Sequence, residues 1–133
     1  MSATVLIVDD SATIRQLVSS VLASAGWEVV TANNGRRALE VLAAAAVDLV
    51  ITDWNMPDGS GLDLIKGIRK MEAHKGIPIL VLSTETDPGC RTAAREAGAT
   101  GWLGKPVDPV MLTNIARQLL DHYGRHAAQR TPE

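Results

Sequence analysis

Four apolar runs in this chain are each followed by residues that carry carboxylate, hydroxyl or ammonium groups. These residues are Asp9, Asp10, Asp53, Ser83, Thr84 and Lys105. Three carboxylates attract a hard cation such as Mg²⁺, which proteins hold with few oxygens besides water and phosphate. A carboxylate screened by that cation can attack phosphorus, a lysine can pair with phosphoryl oxygens, and a hydroxyl can donate to them. The residue types therefore predict a Mg²⁺-dependent phosphoryl site with Asp53 as the nucleophile.

The neighbouring carboxylates Asp9 and Asp10 are the least ordinary feature of this set. Two like charges 4 Å apart repel by about 4 kcal/mol at an effective dielectric constant of 20, unless a cation neutralises them. Each position alone also has a plain explanation, because acidic residues are common in the turns that follow strands. The combination favours a ligand site, since the carboxyl ends of parallel strands lie along one edge of a sheet.

The elements that must position these groups follow from the hydrophobic periodicity. Short apolar or alternating runs predict strands over residues 5–8, 27–32, 49–51, 77–82 and 100–103. Amphipathic helices fill the intervals; Gly26 ends the first, and Gly98 ends a polar, alanine-rich fourth helix from Pro88 to Ala97. Strands that alternate with helices predict a doubly wound α/β fold with a five-stranded parallel sheet and five helices.

Composition restricts the class of protein. A chain of 133 residues that is 46% hydrophobic and 21% charged is typical of one globular domain. A net charge of −2 argues against nucleic-acid binding, and the apolar runs are too short to span a membrane. The N-terminus does not resemble a signal peptide, and Cys90 is the single cysteine, so we expect a cytoplasmic protein. His74, His122 and His126 are predicted to be solvated surface residues.

Four motifs, in the family's order and spacing, resemble the signature of response-regulator receiver domains. The motifs are Val8-Asp9-Asp10, Thr52-Asp53-Trp54-Asn55-Met56-Pro57, Ser83 and Lys105-Pro106. The resemblance covers about residues 4–123, and with Glu85 it is greatest to the single-domain chemotaxis members of the family. It implies a flavodoxin-like fold with strand order 2-1-3-4-5, a receiver domain over residues 1–124 and a polar C-terminal tail over residues 125–133.

The resemblance also implies a role for each site residue. Asp53 would accept a phosphoryl group from a histidine kinase, and the backbone of Thr84 would contact that group. Mg²⁺ would be bound directly by Asp10, by Asp53 and by the backbone carbonyl of Asn55. Asp9 would bind the ion through a water molecule. Ser83 would move towards the phosphoryl group and Lys105 would pair with it. Trp102 would be the switch aromatic, and Lys105–Pro106 would be a cis peptide bond.

The implied function is a switch, not an enzyme with a turnover substrate. Phosphorylation would remodel the face formed by the fourth helix, fifth strand and fifth helix, around Trp102, Val107 and Met111. An output protein would bind this face, and in chemotaxis that partner is the flagellar motor switch. We expect a monomer that binds neither nucleic acid nor membrane.

Three residues depart from the family's usual pattern. Thr84 replaces a small residue beside the phosphoryl site, Trp102 replaces a Tyr or Phe, and Val107 replaces a Phe.

Other functions also remain open. An aspartyl-phosphate phosphatase or phosphotransferase usually has a second acid where this chain has Asn55. A receiver of another pathway (a phosphate sink, a relay intermediate or part of a multidomain regulator) and a receiver-like module that is not phosphorylated are the remaining alternatives.

Overall fold

The computed structural model describes residues 3–56 and 61–130, with side chains as far as Tyr123. Strands and helices alternate along the chain, as the periodicity predicts. The strands are β1 (Thr4–Val8), β2 (Glu28–Ala32), β3 (Leu49–Thr52), β4 (Ile79–Ser83) and β5 (Gly101–Gly104). The helices are α1 (Ala12–Ser24), α2 (Gly35–Ala44), α3 (Gly61–Arg69), α4 (Pro88–Ala97) and α5 (Pro109–Arg130). The loop predicted over residues 56–59 lies, apart from Met56, outside the described residues.

The strands form one parallel sheet in the order β2-β1-β3-β4-β5, which confirms the predicted fold class and strand order. The register aligns the carboxyl ends of the central strands. Val8 pairs with Thr52, Thr52 with Val81, and Ser83 with Gly104. The residues that follow these strands therefore emerge at one edge of the sheet, where ligands bind in open α/β folds.

Both faces of the sheet are covered by helices, so the central strands are apolar on both sides. Alternate strand residues such as Leu6 and Val50 pack into a core beneath α2, α3 and α4. Their neighbours Ile7 and Ile51 pack into a second core beneath α1 and α5. Each fully buried Leu, Ile or Val contributes roughly 1.5–3 kcal/mol, which makes the sheet a rigid base for the residues at its edge.

Local sequence signals start and stop the helices. Ser11 caps α1, and its Oγ accepts a hydrogen bond from the Ile14 N–H at 3.2 Å. Asn34 caps α2 in the same way, through the Arg37 N–H at 2.8 Å. Gly98 ends α4 with φ +119°, a left-handed conformation that residues with a Cβ rarely adopt. Because Ser11 comes directly after Asp9 and Asp10 and caps α1, the turn after β1 leads straight into that helix.

Helix α4 is the most weakly packed of these elements, as its thin apolar face predicts: Ala94 is its one buried residue. Its C-terminal end is nevertheless anchored by Arg69 at the end of α3. The Arg69 guanidinium donates to the carbonyl of Gly98 at 2.6 and 3.1 Å and to the carbonyl of Ile77 at 2.6 Å. Burial lowers the pKa of Arg69.

Strand boundaries differ from the prediction by one or two residues, and the end of the last helix differs by more. Strand β4 begins at Ile79, after Pro78, which has no N–H to donate to a ladder. Strand β5 is displaced by one residue. Helix α5 continues to Arg130, so the predicted domain boundary at residue 124 falls within a helix. The boundary itself stays a prediction.

The surface position predicted for His74 is wrong. His74 ends a 3-10 turn (Glu72–His74) between α3 and β4, and it is 7% exposed. Its Nε2 lies 2.8 Å from the carbonyl oxygen of Leu42 in α2, so the ring gives this buried acceptor a hydrogen-bond partner. His122 is exposed, as predicted. Among the helices of the described residues, none combines the length and hydropathy that crossing a membrane requires.

Candidate functional site

Three carboxylates meet at the carboxyl edge of the sheet. Asp9, Asp10 and Asp53 each offer one oxygen, and these oxygens all lie within 4.8 Å of one another. Asp9 is 2% exposed and Asp10 is exposed to solvent. Residues about 44 positions apart in the chain are brought together because β1 and β3 are adjacent strands with aligned ends.

Lys105 provides the positive charge of the site. Its Nζ lies 3.0 Å from Asp9 Oδ2 and 3.4 Å from Asp53 Oδ2, and its side chain is 13% exposed. The residue follows β5, and the Lys105–Pro106 bond is cis, as the resemblance implies. The ammonium group therefore bridges two of the three carboxylates, and it offsets part of their mutual repulsion.

The environment of Asp53 disfavours its charge. Burial raises the pKa of this carboxyl above its ordinary value of 3.8, and the nearby charge of Asp9 raises it further. Lys105 and the backbone N–H groups of Trp54 and Asn55 lower this pKa, without cancelling the increase. The Trp54 N–H donates to Asp53 Oδ1 at 2.7 Å. A further cation at this edge would therefore stabilise the ionised form of Asp53.

The donor set fits Mg²⁺. Closely spaced carboxylate oxygens, one of them open to solvent, suit an ion that retains several waters. The two oxygens of Asp9 already accept hydrogen bonds, from the Ser11 N–H at 2.9 Å and from Lys105 at 3.0 Å. Both oxygens of Asp53 also have partners, the Trp54 N–H at 2.7 Å and Lys105 at 3.4 Å, so exposed Asp10 has the most capacity for direct ligation.

The remaining predicted site residues line the same edge. Ser83 is 1% exposed, and its Oγ accepts a hydrogen bond from the Glu85 N–H at 3.1 Å. Thr84 is exposed, and together with Ser83 and Lys105 it lines a cavity of about 290 Å³. Asn55 is exposed on the loop two residues after Asp53. The structure thus brings the phosphoryl-site candidates to one side of the sheet.

The proposed output face contains both packed and exposed apolar residues. Trp102 is partly buried against the core, and its ring centroid lies 5.3 Å from that of Trp54. Val107 is partly buried, whereas Met111 is 48% exposed and Val110 is 70% exposed. Of the two large exposed apolar residues at the start of α5, Met111 was identified from the sequence and Val110 was not.

Two side chains near the site had no predicted role. Trp54 belongs to the motif around Asp53, and its position directly after Asp53 is the sequence signal that would have identified it. Arg91 lies in α4 with its guanidinium carbon 5.8 Å from the centroid of the Trp102 ring. No pattern in the sequence indicates that contact, because it joins a helix and a strand.

Comparisons with known proteins agree with the geometry. Residues 5–117 match the family model of the response regulator receiver domain. The chemotaxis protein CheY1 of Helicobacter pylori is 40% identical over 109 residues, which cover 80% of this chain and 88% of that protein. The two-component response regulator ORR3 of Oryza sativa is 37% identical over 117 residues, which cover 87% and 89% respectively. The solved structure of the chemotaxis response regulator CheY4 of Vibrio cholerae superposes with a TM-score of 0.85 at 44% identity, covering 90% of this chain and 100% of that one. The chain therefore belongs to the response regulator receiver domain family.

Proposed function

We propose that this receiver domain is a two-component switch that accepts a phosphoryl group on Asp53 from a histidine kinase, with Mg²⁺ as cofactor. The observation that carries the proposal is the cluster of three carboxylates within 4.8 Å of one another, next to an ammonium group. Such a cluster is costly in a structural role, because burial and the neighbouring charge of Asp9 both disfavour the ionised state of Asp53. It is useful where a cation and a phosphoryl group must be held together.

In the proposed phosphoryl transfer, each site residue has a separate role. An oxygen of Asp53 attacks phosphorus and forms an O–P bond, while the bond from phosphorus to the donor imidazole nitrogen breaks and that imidazole is protonated. Bound Mg²⁺ supplies positive charge that lets an anionic phosphoryl group approach an anionic nucleophile. Asp10, Asp53 and the Asn55 carbonyl would hold the ion, and Asp9 would contribute through water. The exposure of the Asp10 carboxylate supports its assignment as a direct ligand.

Lys105 has two successive partners in this proposal. Before transfer, its ammonium group pairs with Asp9 and Asp53 at 3.0 and 3.4 Å. Transfer replaces the charge on Asp53 with a more negative phosphoryl group, to which the ammonium then moves as a mobile point charge. Ser83 turns from the Glu85 N–H to the phosphoryl oxygens, and the backbone of Thr84 contacts them as well.

We infer that the output is protein binding at the face formed by α4, β5 and α5. Exposed apolar side chains at the start of α5, Val110 and Met111, support a protein partner there. The similarity to the chemotaxis proteins CheY1 and CheY4 favours a chemotaxis role, with the flagellar motor switch as partner. The similarity to ORR3, a two-component response regulator, supports the alternative of a receiver from another pathway.

The direct test is incubation with Mg²⁺ and acetyl phosphate, followed by intact-mass measurement. We expect a single phosphoryl adduct in the wild type and none in Asp53→Asn. Asp121→Asn is the matched control, because Asp121 is an exposed carboxylate of α5; it should be phosphorylated like the wild type. An adduct on Asp53→Asn would reject the assigned nucleophile. No adduct and no Mg²⁺ binding in the wild type would favour the non-phosphorylated interaction module.

A further inference from the structure

Asp9 is held at its backbone N–H, at its backbone carbonyl and at both carboxylate oxygens. Its N–H donates to the Ala32 carbonyl at 3.2 Å. Its Oδ1 accepts from the Ser11 N–H at 2.9 Å, and its Oδ2 accepts from Lys105 Nζ at 3.0 Å. Arg15 Nη1 donates to its carbonyl oxygen at 2.7 Å, the shortest of these contacts. Hydrogen bonds from a charged donor are among the strongest in proteins, so Arg15 is a firm constraint on this carbonyl.

The Asp9 carbonyl belongs to the peptide group that joins Asp9 to Asp10. A peptide group is planar, so the direction of this carbonyl also fixes the N–H and the Cα of Asp10. The Asp10 side chain is exposed, and within the described part of the chain its carboxylate forms no hydrogen bond or ion pair. The backbone therefore decides whether the Asp10 carboxylate lies within 4.8 Å of the oxygens of Asp9 and Asp53, as it does here.

Arg15 lies in the first turn of α1 and is half-buried. Its own N–H donates to the Ser11 carbonyl at 3.0 Å, so its backbone and its side chain both hold the turn after β1. Val18 and Leu22 fix the helix by packing into the core. Arg15 forms no ion pair with any carboxylate that the structure describes, and the helix dipole disfavours a cation near a helix N-terminus. The contact with the Asp9 carbonyl is therefore the interaction that favours a guanidinium at this position.

We propose that Arg15 is a positioning residue of the Mg²⁺ site, which holds the Asp9–Asp10 peptide so that the Asp10 carboxylate can bind the ion. The inference deepens the proposed function and rests on it. In this assignment Arg15 contacts neither the ion nor the phosphoryl group. Without its hydrogen bond the peptide plane is free to rotate, and the Asp10 carboxylate then leaves the oxygen cluster that it forms with Asp53.

The charge of Arg15 and its hydrogen bond have opposite effects on Mg²⁺ binding. A guanidinium beside three carboxylates repels a second cation, so loss of its charge alone would strengthen Mg²⁺ binding. Loss of the hydrogen bond releases the Asp10 peptide and weakens binding. Removal of a group that orients a metal ligand typically lowers metal affinity by about 10- to 100-fold. The direction of the change in affinity therefore distinguishes the positioning role from a purely electrostatic one.

The test is a titration of ¹³C,¹⁵N-labelled full-length protein with Mg²⁺ alone. The amide shifts of Asp10 give the Kd for the ion, and the carbonyl ¹³C shift of Asp9 reports the hydrogen bond from Arg15. Arg15→Met and Arg15→Gln, which both lack the charge and the guanidinium donor, are compared with the wild type. Arg37→Met is the matched control, because Arg37 also lies near a helix N-terminus, that of α2, and pairs with Glu40 at 3.0 Å.

We expect Arg15→Met and Arg15→Gln to move the Asp9 carbonyl signal and to raise the Kd for Mg²⁺ about tenfold. Arg37→Met should leave the Asp9 signal and the Kd unchanged. A wild-type or lower Kd in either Arg15 variant would overturn the proposal, and so would an unmoved Asp9 signal; Arg15→Gln supplies this result even where Arg15→Met does not fold. Absence of Mg²⁺-dependent shifts in the wild type would instead overturn the proposed cofactor, and the positioning role with it.

Discussion

Asp53→Asn should stabilise the protein in metal-free buffer, although it removes the proposed function. At an effective dielectric constant of 20, the Asp53 and Asp9 oxygens, within 4.8 Å of each other, repel by at least about 3.5 kcal/mol. Lys105, at 3.4 Å, attracts the Asp53 carboxylate by about 5 kcal/mol on the same scale. On this scale the attraction by Lys105 exceeds the repulsion by Asp9 by at most about 1.5 kcal/mol, so these two contributions largely offset each other. The cost of burying the charge remains, and it is the largest cause of the raised pKa.

The pH dependence follows from the sign of that shift. The folded state holds the proton of Asp53 more tightly than the unfolded chain, whose pKa is near 3.8. Ionisation therefore costs stability as the pH rises from about 4 through the raised pKa, and the full cost is present above that pKa. We expect Asp53→Asn to exceed the wild type in free energy of unfolding at pH 7, because the amide has no charge to bury. The difference should vanish below about pH 4.

Urea unfolding monitored by tryptophan fluorescence, in EDTA and in millimolar Mg²⁺, measures this difference. Mg²⁺ should stabilise the wild type and Asp121→Asn equally, since an ion that binds the folded state raises its stability. It should stabilise Asp53→Asn much less, because one ligand is lost. If Asp53→Asn proves equal to or less stable than the wild type in EDTA at pH 7, the attraction of Lys105 outweighs the cost of burial and this reasoning is wrong.

Three further predictions use the same structure. Arg69→Met should lower the free energy of unfolding by about 2–4 kcal/mol in urea titrations, since it leaves the carbonyls of Gly98 and Ile77 without their charged donor; a loss below 1 kcal/mol would show that water replaces the guanidinium. Gly61→Ala should lower the free energy of unfolding by about 1–3 kcal/mol in the same assay and slow formation of the phosphoryl adduct. The reason is that the Cβ of the new alanine would lie 2.5 Å from the Asp53 carbonyl oxygen. Thr84→Ala should accelerate phosphorylation by acetyl phosphate about two- to tenfold, because it removes bulk beside the cavity. This factor corresponds to a barrier lower by about 0.4–1.4 kcal/mol. An unchanged rate of adduct formation, measured by intact mass, would reject a steric role for Thr84.

Much of the fold could be predicted because its signals are local. Apolar runs next to glycine and capping residues predict the strands, and the αL position of Gly98 ends α4 where the sequence indicates. The placement of Asp9, Asp53 and Lys105 at one edge follows from strand direction, because all strands are parallel. The strand order itself required the family resemblance, since periodicity does not say which strands are neighbours.

The sequence alone determined the chemical groups of this protein and the strand ends that carry them. Tertiary structure decided their partners: Lys105 bridges Asp9 and Asp53, and the Trp54 ring packs on Trp102. His74, predicted at the surface, is buried because α2 presents a carbonyl to it. The reason is the same in each case. Periodicity and capping act within a few residues, whereas these contacts join groups that are distant along the chain and that meet only when the sheet and its helices have formed.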